Sequence, residues 1–244
     1  MPRSEFAAPR RRHRGRHLGV ALLVLAALLV AADRIALVVA ERAAADTIQR
    51  SEQLAAAPSV SVSGFPFLTQ LAAGDFGQVT VRASGVQAGS GARRLRIAAV
   101  TLVLHQVRVG RNLSSVTAAS GTATGTISYA DLSRALGLSV GYAGSAGGIG
   151  RIRTSTSITV AGQRLTGSIT AGLSVQASSL NFDRPAVDVT SGLASVATPL
   201  LRTAFGPPLP LGHLPFGVRV RAVLVGPAGI TIELAGADLV YRRP

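Results

Sequence analysis

From Leu18 to Ala32 the chain reads LGVALLVLAALLVAA, fifteen residues without a charge, and after Asp33 and Arg34 the apolar run resumes as IALVVA to Ala40. Read to Ala40, the 23 residues form a helix of about 34 Å, enough to cross a bilayer. Asp33 and Arg34 then fall toward its outer end, where a charge costs less than at mid-depth. Beyond them Leu37, Ala40, Ala44, Ile48, Ser51 and Ala55 recur at steps of three and four, with Arg42, Asp46 and Arg50 opposite. The spacing predicts that the same helix continues as an amphipathic one and ends before Pro58. There the period changes to two. Val60 and Val62 alternate with Ser, and Val79, Val81 and Ala83 alternate with Thr80, Arg82 and Ser84. Leu95 to Val109, Thr117 to Ser128, Ile149 to Val160 and Leu165 to Leu180 read as further strands. Val218 to Val225 and Ile230 to Val240 flank a Gly226-Pro227-Ala228-Gly229 hairpin signal. Short helices are predicted at Tyr129 to Leu136, with Ser128 as cap, and near Ser191 to Ala204; Ala143 to Gly150 reads as a flexible loop. Strands that do not alternate with long helices exclude a doubly wound parallel sheet. The expected class is α+β: a long N-terminal helix, membrane segment first and amphipathic second, packed on a curved, mostly antiparallel sheet.

Composition sharpens this picture. Aromatics are 4% of the 244 residues, so the strands carry mainly Ala, Val, Leu and Ile. Side chains this small cannot fill the concave face of a wide sheet. Either the amphipathic helix or a bound apolar ligand must cover it. All basic residues are Arg, and the net charge is +14. Six Arg precede His17, which holds this end on the cytoplasmic side and exports the rest. Two readings fit the apolar segment: an uncleaved signal-anchor over residues 18–40 behind a basic tail 1–17, or a signal peptide cut after Val30-Ala31-Ala32. In both, residues 41–244 form an extracytoplasmic domain. Its remaining positive charge is drawn to anionic lipid head groups, anionic envelope polymers or nucleic acid. Export and scarce aromatics argue against a nucleic-acid partner. With no Cys, disulfides, thiolate metal sites and lipidation of an N-terminal Cys are excluded.

Catalytic patterns are sparse. Gly137-Leu138-Ser139-Val140-Gly141 matches G-x-S-x-G, and Asp183 or Asp188 and then His213 follow in hydrolase order. A nucleophile elbow needs a strand before the Ser and a helix after it; here a helix precedes and a Gly-rich stretch follows. A serine esterase is therefore the minor alternative. Scattered acids and four dispersed His supply no metal site, and no phosphate loop or dinucleotide fingerprint implies a cofactor.

Gly64-Phe65-Pro66-Phe67-Leu68-Thr69-Gln70-Leu71 sets two Phe, a Pro and two Leu after a strand, an apolar turn costly to expose. It either plugs one end of the core or contacts lipid. Together with Asp33 to Ala45, Gly77 to Val86 and Ser128-Tyr129-Ala130-Asp131-Leu132, this stretch resembles the actinobacterial LmeA-like family of phospholipid-binding envelope proteins. The resemblance covers most of the chain from Asp33. It implies a fold similar to tubular lipid-binding domains, phospholipid binding, and a role in envelope lipid or lipoglycan metabolism. It carries no catalytic residue set. From apolarity and position, the residues expected to line an acyl-chain groove are Phe65, Phe67, Leu68, Leu71, Leu102, Leu104, Leu132, Leu136 and Phe216. Arg82, Arg94 and Arg221 are expected to meet the head-group phosphate. A non-catalytic structural partner of envelope enzymes is the main alternative.

Overall fold

The computed structural model describes residues 13–88, 94–110, 115–160, 163–176, 179–189, 208–210 and 218–242. A single unbroken helix, α1 (His13–Ser51), contains both the apolar segment and the amphipathic stretch. Residues 18–32 are exposed on every side. From Asp33 onward one stripe turns inward: Asp33, Ala36, Leu37, Ala40, Ala44, Ala45 and Ile48 are buried or half-buried, with Arg42, Asp46 and Arg50 outside. The helix ends a turn earlier than its stripe predicts, at Ser51. After it come β1 (Ser59–Ser63), α2 (Phe67–Ala73), β2 (Asp75–Ala88), β3 (Leu95–Val109), β4 (Ser115–Ile127), α3 (Tyr129–Leu136), β5 (Val140–Ala146), β6 (Ile149–Val160), β7 (Gln163–Gln176), β8 (Ser179–Val189), β9 (Leu209–Pro210), β10 (Arg219–Gly226) and β11 (Gly229–Arg242).

Two antiparallel sheets result. One runs β1-β2-β3-β4-β11-β10 and the other β5-β6-β7-β8-β9. The predicted loop at Ala143 to Gly150 is instead a hairpin: β5 and β6 pair from Ala146↔Ile149, and Gly147 and Gly148 take the positive φ that a tight turn requires. Glycine richness marked the turn, but backbone pairing extends to its edge. The helix expected at Ser191 to Ala204 lies outside the described residues.

The first sheet bends along one row. Gly77, Gln106, Ala119 and Asp238 stand side by side on β2, β3, β4 and β11, between pairs that keep the same register on either side. Gln106 and Asp238 have φ of 50° and 51°. Across this row the burial phase slips by one residue on every strand. Core positions step from Leu104 to Val107, from Ala118 to Gly121 and from Gly236 to Leu239, while His105 and Gln106 are both exposed. All four strands slip together, so pairing survives while the sheet curves and each half keeps its apolar side inward.

Two cores form on this sheet. One gathers Phe67, Phe76, Leu104, Val107, Ala118 and Leu239, with Ala36, Leu37 and Ala40 of α1 against it. The other joins Leu95, Ile127 and Ile230 to Leu132 and Ala135 of α3 and to Ile152, Ile169, Ala171 and Leu180 of the second sheet. Thr154 is fully buried beside this second core, paired with Val140 and Ile169, and its hydroxyl has no hydrogen-bond partner among the described residues. Thr154→Val removes that unsatisfied group at equal size. It should stabilise the protein by about 1 kcal/mol, read as a higher urea midpoint at an unchanged slope.

Candidate lipid-binding face

α3 is fixed at its start by a reciprocal cap. Ser128 Oγ accepts from the Asp131 amide at 3.0 Å and donates to the Asp131 carboxylate at 2.6 Å. Arg134 donates to the same carboxylate at 2.6 Å, and Arg96 of β3 stands 3.7 Å away. Tyr129 donates to the Gly226 carbonyl at 2.6 Å, tying α3 to the β10–β11 turn. Burial alone would push the Asp131 carboxyl up; the Ser128 hydrogen bond and the two Arg outweigh it and hold the carboxyl below its ordinary range. A carboxyl held low in the fold stabilises it above its unfolded value of about 3.9 and loses that contribution as the pH falls through the lower folded value. Asp131→Asn should therefore lose about 2 kcal/mol at neutral pH and show a shallower stability loss below about pH 4, measured by denaturant titration across the acid range.

At the other end of the sheet, α2 lacks a cap of its own, because Pro66 precedes it in an extended conformation with no side chain to accept. Asp33 fills the role from α1. Its carboxylate is buried, accepts the Leu68 amide at 2.8 Å, and is paired with Arg34. Arg34 in turn lies over the Phe65 ring, 5.2 Å from its centre. Further along α1, Glu41 accepts the Val62 amide of edge strand β1 at 2.8 Å. The helix is thus bonded to the domain at two levels.

The residues expected in a groove separate into three groups. Phe65, Leu68 and Leu71 are exposed at the α2 end, by 63%, 40% and 49%. Phe67 is 2% exposed, stacked on Phe76 with ring centres 6.2 Å apart, and shares its core with Leu104 and half-buried Leu102. Leu132 and Leu136 belong to the second core. Phe216 and His213 lie outside the described residues. Arg82, Arg94 and Arg221 are all exposed, on β2, just before β3 and in the β10 bulge, and the structure does not gather them. Ser139 is exposed between α3 and β5, with a helix before it and a strand after, the reverse of a nucleophile elbow.

The two cores are joined by a belt that the sequence reading missed. Val60, Val81, Leu102, Ala123, Leu234 and Val220 form one row across all six strands of the first sheet. Every member except Val60 is only half-buried. Along the central strand β4 this face carries Gly121, Ala123 and Gly125, small residues flanked by Leu102 and Leu104 on one side and Ile232 and Leu234 on the other. Gly121 is roofed by Leu104 and Leu239, whereas a Cβ at Gly125 would meet, among the described residues, only Ile97, at 3.5 Å. The result is an apolar strip with small residues at its centre, where half-buried Ala123 lies between buried Gly121 and Gly125. Alternating small residues in the Gly-Thr-Ala-Thr-Gly run were the available signal. The bent row also borders a depression lined by Gln106, Arg108, Thr117 and Asp238 together with Ala118, Ala119, Leu239 and Val240, a mixture of polar and apolar side chains.

The sequence model of the LmeA-like phospholipid-binding family matches residues 31–235. No curated protein and no solved structure matches the chain. Among the described residues, one helix, α1, is long and apolar enough to cross a membrane.

Proposed function

Because the chain belongs to the LmeA-like phospholipid-binding family, we propose that it is an extracytoplasmic envelope protein that holds phospholipid acyl chains on the half-covered belt joining its two cores. The belt is the observation that carries this reading. An apolar row spanning six strands is left half-exposed, and each methylene laid on such a surface contributes about 0.8 kcal/mol. The six N-terminal Arg keep that end inside, α1 crosses the bilayer, and the domain faces outward. Arg82, Arg94 and Arg221 offer alternative contacts for an anionic head group rather than one clamp. The protein acts by binding, in support of envelope lipid or lipoglycan metabolism, and performs no chemistry of its own.

The test is mass spectrometry of solvent extracts from the full-length protein after exhaustive detergent exchange. Near-stoichiometric phospholipid, enriched in anionic species, supports the reading. A protein that stays folded and carries no phospholipid would instead fit a structural partner of envelope enzymes. The closed packing around Phe67 and Leu132 is the observation that favours that second reading.

A further inference from the structure

The exposed apolar residues at the α2 end are not scattered. Leu68 is bonded through its amide to Asp33, Phe65 lies under Arg34, and Leu71 follows one turn after Leu68. All three therefore stand at the level of α1 where the fully exposed apolar run ends. Exposed Ile35, Val38 and Val39 extend the patch along α1.

Helix geometry fixes what meets this patch. From Leu18 to Asp33 α1 rises only about 22 Å, whereas the hydrocarbon core is about 30 Å thick. If the core begins just after Arg16 and His17, it ends near Leu37, about 6 Å beyond the Asp33 level. The domain, bonded to α1 at Asp33, cannot stand clear of the lipid unless that bond breaks. We propose that the α2 end is a membrane seat: Phe65, Leu68 and Leu71, with Ile35, Val38 and Val39, enter the outer leaflet beside α1 and set the domain directly on the bilayer. The buried Asp33 tolerates this depth because the α2 amide and Arg34 satisfy it. The seat places the sheet within reach of lipid without a stalk. The inference rests on α1 crossing the bilayer and is independent of where an acyl chain lies on the sheet.

The chain has no Trp, so one introduced indole reports depth unambiguously. Full-length Leu25→Trp, Leu68→Trp and Leu224→Trp are each reconstituted into phosphatidylcholine–phosphatidylglycerol vesicles with acyl chains brominated near the head group. Leu224 is exposed near the β10–β11 turn, at the far end of the sheet from α2. Leu68→Trp is expected to lose most of its emission to the bromines and to emit at shorter wavelength, as Leu25→Trp does, while Leu224→Trp is unquenched. Phe65→Trp repeats the measurement should Leu68→Trp misfold. Quenching of Leu25→Trp with none at Leu68 or Phe65 overturns the seat and leaves the crossing helix standing. No quenching at Leu25 overturns both.

Discussion

Tryptophan in place of Ala123 should strip most of the bound phospholipid from the protein while leaving its melting temperature nearly unchanged. Ala123 sits at the centre of the belt, with Leu102 and Leu234 as its cross-strand neighbours, and all three are half-buried. An indole there covers the half-exposed row, resting on Leu102 and Leu234. Losing contact for two methylenes costs about 1.6 kcal/mol, or about fifteenfold in affinity, and an indole displaces more than that. Thr124→Trp is the control. It is the next residue on β4, exposed on the opposite face, and should leave lipid content at the wild-type level. Equal lipid in both variants, by quantitative mass spectrometry, removes the belt from the binding site.

Gly150→Ala should be the most destabilising single-methyl change. Gly150 is the second residue of β6, where the second sheet crosses β10. A Cβ built there lies 2.7 Å from the Val225 Cβ and 2.9 Å from its carbonyl carbon, against the Val225 carbonyl oxygen. Backbone cannot swing aside as a side-chain end can, so the sheets must part and open the core around Ile152, Ile169 and Ile230. Overpacking of this kind costs about 3 kcal/mol, or roughly 6–12 °C in melting temperature for a chain of this size. Gly141→Ala, where a Cβ meets nothing within 4 Å among the described residues, should change the melting temperature little. Similar melting temperatures for the two variants would contradict the close crossing of β6 and β10.

Local signals survived into the structure. The stripe from Leu37 to Ile48, the Ser128 cap with the helix from Tyr129 to Leu136, and the turn at Gly226 to Gly229 follow from spacing and turn chemistry alone, and each is present. What stayed hidden depends on distant partners. Asp33 read as a charge near the outer end of a membrane segment; that it caps α2 requires the helix and the Phe65 turn, 35 residues apart, to meet. The slip at Gln106 defeated a period of two, because Leu102, Leu104, Val107 and Val109 all face the core with a step of three in the middle. The split into two sheets has no local mark either, since Gly150 looks like loop glycine until β10 lies against it. The proposed binding face was half legible. Leu102 was named from apolarity, but Ala123 and Leu234 gain their meaning only from cross-strand register.

The most direct measurement is photo-crosslinking of the full-length protein with a phospholipid carrying a diazirine midway along one acyl chain, followed by peptide mapping. Adducts concentrated on the peptides holding Leu102, Ala123 and Leu234 are the result expected here. Adducts confined to residues 18–32 of α1, with none on those three strands, would contradict acyl-chain binding on the sheet.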